Sequence, residues 1–145
     1  MAWLEGVRNR FFKRALDFWT CLFIFILGLY GVFYAPEHLK NATSGLTIFV
    51  DIIAIYYIIS SLVILATIVL DPVEHPNFVR MGQLFGWLFI ACAAASTLIL
   101  YAASLFTVGP PQFPYEFFIW VIIWASLLTL SLSHIWHITK KGANG

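Results

Sequence analysis

"LTIFVDIIAIYYIISSLVILATIVL", residues 46–70, decides the fold. A helix rises about 1.5 Å per residue, so about 20 apolar residues cross a hydrocarbon core of about 30 Å. An isolated strand cannot cross, because its backbone groups would be unpaired in lipid, whereas a helix satisfies its own. Three more apolar runs lie on either side: about Leu16–Tyr34, Met81–Phe106 and Tyr115–Ile138. The chain has 145 residues, 61% hydrophobic and 10% charged, with a mean hydropathy of +0.89. Soluble domains carry about 45–50% apolar and about 25% charged residues. A water-soluble chain of this size could not hide so much apolar surface in one core. The expectation is an all-α membrane protein: one integral domain, residues 1–145, with four transmembrane helices.

Polar punctuation separates the runs. "APEHLKNATSG" follows the first and ends in Thr43 and Ser44, good helix caps. "DPVEHPN" and "VGPPQFPY" carry prolines that oppose a continuous helix. Connections this short favour antiparallel neighbours, hence an up-down-up-down bundle. Of the eight Lys and Arg residues, Arg8, Arg10, Lys13, Arg14, Arg80, Lys140 and Lys141 fall on one side of that bundle and Lys40 alone on the other. Cytoplasmic segments are enriched in these residues, so both termini are expected to be cytoplasmic or topologically equivalent. Within residues 1–15, Trp3, Leu4, Val7, Phe11 and Ala15 recur at spacings of three and four, while Arg8, Arg10 and Lys13 face elsewhere. Such a segment predicts an interfacial amphipathic helix, its cations drawn to anionic lipid.

The formal net charge of +1 offers nothing to nucleic acid. Cys21 and Cys92 both lie inside apolar runs and read as small buried hydrophobes. The 14 Phe, 6 Trp and 6 Tyr cluster toward the ends of the runs as interfacial belts. Tyr56 and Tyr57 lie nearer mid-depth and need hydroxyl partners, so at least one should face protein.

Few residues could carry chemistry. His134 and His137 share a helix side at the end of the fourth run, and Glu74 and His75 lie in a loop on the same side. Imidazole and carboxylate suit zinc, but two ligands from a helix end and two from a Pro-flanked loop make a weak pattern. The favoured reading is that His134, His137 and Trp136 form an interfacial collar. A bis-histidine haem needs a histidine on a facing helix, and the first three runs have none. No cofactor follows from the sequence. Asp51 is the one acid well inside an apolar run, with His38, Lys40 or Glu116 as candidate neighbours.

Helix association in lipid relies on small residues, because expulsion of water no longer drives it. Gly82 and Gly86 form a G-x-x-x-G, which Ala93, Ser96 and Ala103 continue on roughly the same face. In the fourth run Ala125, Thr129, Ser133 and His137 are spaced by four. Both faces read as packing surfaces.

No hydrolase, nucleotide-binding or metalloprotease motif occurs, so the chain is not expected to be an enzyme. It reads as a non-catalytic accessory subunit, set in membrane lipid and packed against other membrane subunits or copies of itself. The alternatives are a self-oligomerising, holin-like pore and a metal- or proton-handling protein using Asp51 or the histidines.

Overall fold

The computed structural model describes residues 1–33, 47–70, 72–107 and 114–143. His38, Lys40 and the caps Thr43 and Ser44 lie outside these residues, and so does the side chain of Glu116. Five helices occur among them: α1 (Ala2–Lys13), α2 (Ala15–Phe33), α3 (Thr47–Val69), α4 (Pro76–Thr107) and α5 (Pro114–Ala143). No strand occurs among the described residues. The last four helices each contain a stretch long and apolar enough to cross a membrane: Ala15–Phe33, Asp51–Val69, Pro76–Ala103 and Phe117–Lys141. The chain is an all-helical, multi-pass integral membrane protein.

Helix boundaries follow local chemistry. α1 and α2 are separated at Arg14, whose φ of −118° and ψ of 31° leave the helical region while its N–H still bonds Arg10 O. α4 and α5 start earlier than the apolar pattern, at Pro76 and Pro114. Proline is tolerated there because the first helical N–H groups have no intrahelical acceptor. α5 runs on through Lys140 and Lys141, cations that complement the negative end of a helix dipole.

Neighbours in sequence pack in space. α3 lies between α2 and α4, and α5 packs on α4. Among the described residues, no Cα of α2 comes within 8 Å of one in α4 or α5. Glycines decide how closely α3 is approached. A Cβ on Gly28 would lie 3.0 Å from Ala54 O and 3.2 Å from Ile58 N, so α2 rests directly on the backbone of α3. A Cβ on Gly82 would lie 2.7 Å from Thr67 Cγ2, and one on Gly86 would press into Ile64 and lie 3.3 Å from Ser60 O. The G-x-x-x-G of α4 therefore packs on α3.

The interior is filled by Ile24, Ile64, Ile68, Trp87, Ile90 and Tyr101. Its hydroxyls are paired: Ser61, Thr67 and Ser131 donate to carbonyls of their own helices at 2.9, 2.6 and 2.7 Å. Tyr57 Oη lies 3.3 Å from Thr97 Oγ1 on α4, while Tyr56 is exposed and stacks on Phe89. Large apolar side chains such as Ile55, Ile59, Phe85, Ile99 and Ile122 cover the outside. That arrangement is stable when the surrounding solvent is hydrocarbon.

Candidate functional site

Polar side chains from three helices meet at one end of the bundle. Arg14, at the α1–α2 break, donates from Nε to Asp17 Oδ2 at 3.2 Å. The other carboxylate oxygen, Oδ1, lies 3.2 Å from His134 Nε2 on α5. With the Gln83 amide oriented to satisfy both groups, its oxygen accepts from Arg14 Nη1 at 2.8 Å and Nη2 at 3.2 Å. Trp87, one turn beyond Gln83, stacks flat on the His134 ring, with centroids 4.2 Å apart and planes 11° from parallel. Asp17 and His134 thus join α2 to α5, and Arg14 and Gln83 join α2 to α4, across helix pairs whose backbones do not touch.

The electrostatics are locally complete. Asp17 accepts from both sides, and every donor nitrogen of Arg14 named above has an oxygen to meet. The side chains of Arg14, Asp17 and His134 are 23, 17 and 26% exposed, so protein covers most of the cluster but does not seal it. A carboxylate–imidazole couple can hold or pass a proton. It offers two metal ligands, and no group of three or more His, Cys, Asp or Glu side chains converges among the described residues.

A second set of contacts anchors α1. Arg10 donates to Ile68 O at 3.2 Å and to Val69 O at 2.8 Å. These carbonyls belong to the last turn of α3, which has no intrahelical donors left to meet them.

The residues singled out from sequence separate into several places. His134 is in the cluster, facing inward against Trp87, and so departs from the collar reading. His137, one turn on, is exposed, as is Trp136. Glu74 and His75 line a surface pocket with Trp3 and Arg10, apart from His134. Asp51 opens its candidate span and is exposed. Gly82, Gly86 and Ala93 are on the packed side of α4, with Ala93 3% exposed. Ser96 and Ala103 are exposed and do not share that side, which corrects the five-residue face expected from sequence. A straight helix drifts about 20° per heptad relative to a seven-residue repeat, so positions two and three heptads after Gly82 rotate away. Ser96 instead donates to Cys92 O at 2.8 Å. Ala125, Thr129 and Ser133 lie on the outer side of α5. Cys21 is buried as expected; Cys92 is exposed, and both are free thiols.

Sequence reasoning missed Arg14 as a contact, and Asp17, Gln83 and Trp87 altogether. The signal was polar residues at matching depth in three spans: Asp17 early in the first, Gln83 early in the third and His134 late in the fourth. No protein-family model, curated protein or solved structure matches this chain.

Proposed function

We propose that the protein is a non-catalytic accessory subunit that docks onto another membrane protein, or onto a copy of itself, through the outer face of α5. One observation carries this reading. The small-residue faces of α2 and α4, at Gly28, Gly82 and Gly86, are spent on α3, whereas Ala125, Thr129 and Ser133 face outward. A face of small side chains lets a neighbouring helix come close in lipid. Ser126 and Thr129 already bond Ile122 O and Ala125 O, so the face presents few unmet polar groups to a partner.

The bundle is up-down-up-down with both termini on the cytoplasmic or equivalent side. In support, Gly28 late in α2 meets Ala54 early in α3, Gly82 early in α4 meets Thr67 late in α3, and Trp87 early in α4 meets His134 late in α5. The Lys and Arg distribution supports the orientation. α1 lies in the headgroup layer as an amphipathic helix: none of its residues is buried, and its basic Arg10 and Lys13 come in the last turn.

The test is site-directed cross-linking in native membranes. A chain carrying Thr129→Cys in a Cys92→Ser background should cross-link to a discrete partner, or to itself, with a short bifunctional thiol reagent. Ile55→Cys, on the lipid-facing side of α3, should not. Equal cross-linking from both positions, or none from either, would remove the docking face. A self-product accompanied by ion leakage on reconstitution would favour the pore instead.

A second reading has an observation of its own. A carboxylate–imidazole pair is able to exchange a proton, and the Asp17–His134 contact suits a proton-handling role better than exposed Asp51 does. Unchanged proton uptake by reconstituted vesicles after His134→Gln would dispose of it.

A further inference from the structure

Three arginines lie in the first 14 residues of the chain. Arg10 donates to the last carbonyls of α3, and Arg14 is held by Asp17 and Gln83. Arg8 is exposed and meets no hydrogen-bond or ion-pair partner among the described residues; Glu5, one turn before it, does not pair with it. Arg8 is also the one charged residue lining a groove of about 360 Å³ that crosses the break between α1 and α2. The rest of the lining is Phe11 and Phe12 from α1, with Ala15, Phe18 and Trp19 from α2. Ring contacts fix this wall. Phe18 meets Phe11 edge-on across the break, with centroids 5.0 Å apart, and meets Trp19 at 5.4 Å. Phe12 and Trp19 are left 75 and 64% exposed.

We infer that this groove binds one anionic phospholipid, with its phosphate on the Arg8 guanidinium and the start of an acyl chain against Phe12 and Trp19. The inference rests on the placement of α1 in the headgroup layer. Three observations converge on that occupant. The first is charge. A guanidinium fork matches phosphate oxygens in pairs, and Arg8 is the N-terminal arginine that the fold leaves unspent. The second is position. Trp19 lies four residues after Ala15, where the first candidate span begins, which is about 6 Å along the helix. Arg8 lies on the other side of the break, in α1. The groove thus straddles the boundary where polar headgroups give way to acyl chains, the layer that indole rings favour. The third is shape. A cavity that takes up benzene measures about 150 Å³. The groove has more than twice that volume and is open to the outside, so a chain segment can lie in it while the rest of the lipid stays in the bilayer. A wall of four aromatic rings offers nothing to inorganic phosphate, which makes the source of the phosphate a lipid. The site lies on α1 and α2, away from the outer face of α5.

The test counts lipids on the full-length protein. Purified protein in neutral detergent micelles, where no membrane surface potential acts, is given dioleoylphosphatidylglycerol or dioleoylphosphatidylcholine. Retained lipid is read by native mass spectrometry. The expected result is one phosphatidylglycerol per chain, with phosphatidylcholine held about five-fold more weakly because its ammonium offsets the phosphate charge. Arg8→Gln should erase that preference. Lys13→Gln, which removes an exposed cation outside the groove, should leave it unchanged. Both side chains are exposed, so neither variant threatens folding. Equal retention of the two lipids on the unaltered chain overturns the site, and so does equal loss of preference in both variants. Displacement of the lipid by millimolar inorganic phosphate overturns it too, since the aromatic wall would then play no part. A spin label at position 4, read in vesicles, tests the placement of α1 separately. A label open to a water-soluble nickel chelate and shielded from oxygen would overturn that placement and the site with it.

Discussion

Replacing Asp17 and His134 by alanine, singly and together, measures the contact that joins α2 to α5. Asp17→Ala removes the His134 contact at 3.2 Å and also strips Arg14 of one of its acceptors. His134→Ala removes the same contact and the ring stacked on Trp87. Each single cost therefore mixes several terms, and only the coupling isolates the pair. Its size follows from burial. Exposed ion pairs are worth about 0–1 kcal/mol, and breaking a fully buried pair costs about 3–5 kcal/mol. With side chains 17 and 26% exposed, the pair belongs between these limits but close to the lower one. We expect a coupling of about 1 kcal/mol, roughly a five-fold change in the unfolding constant. The assay is reversible unfolding by SDS in mixed micelles, followed by far-ultraviolet circular dichroism. A control cycle between Arg14→Ala and His134→Ala should give a smaller coupling, because these two act on each other only through Asp17. A coupling for Asp17 and His134 below about 0.3–0.5 kcal/mol, the scatter of independent sites, would refute the bridge.

Four further outcomes follow from the packing. Gly28→Ala should destabilise the protein by about 1–3 kcal/mol in the same unfolding assay, since its Cβ meets backbone atoms of α3 that cannot rotate aside. Gly6→Ala, whose Cβ would meet only Arg10 Nη1 at 3.5 Å, should be neutral or slightly stabilising. Arg10→Ala should free α1 from the end of α3, seen as faster motion of a spin label at position 4, at a cost of about 1 kcal/mol. Tyr57→Phe should cost only about 0.6 kcal/mol in an SDS titration, because Thr97 keeps its bond to Ala93 O at 2.8 Å.

Span number and extent were legible because hydropathy and helix length are properties of contiguous sequence. Residues 46–70 became Thr47–Val69, and residues 16–34 became Ala15–Phe33. The early starts at Pro76 and Pro114 were hidden, because an apolar pattern does not register that proline opens helices well. The G-x-x-x-G was visible as a surface, but its mate was not. Gly82 fits any helix offering a close approach, and nothing in "MGQLFGW" names Thr67 and Ile64. The cluster was harder still. Arg14, Asp17, Gln83 and His134 are scattered over 120 positions, and each alone looks like an ordinary polar residue at a span end. Only the packing order of the helices brings them to one depth.

That order also explains where two unusual features fall. α3 takes a glycine contact on each side, Gly28 from α2 and the Gly82–Gly86 pair from α4. Close approach on both sides of one helix holds α2 and α4 apart, and α5, packed on α4, is left facing α2 across an open seam. A seam without backbone packing must be closed by long side chains. At one end, within reach of water, polar groups can close it, and Asp17 meets His134 there at 3.2 Å. At the other end the walls are aromatic and apolar, and no charged pair could be afforded at that depth. Rings close that end instead, leaving a small cleft beside Trp124. The polar bridge and the aromatic cleft are thus two consequences of one cause. A substitution that forced α2 off α3, such as Gly28→Ala, should weaken the Asp17–His134 coupling as well as the helix contact. If the coupling kept its full value in the Gly28→Ala background, the two ends of the seam would have to be explained separately.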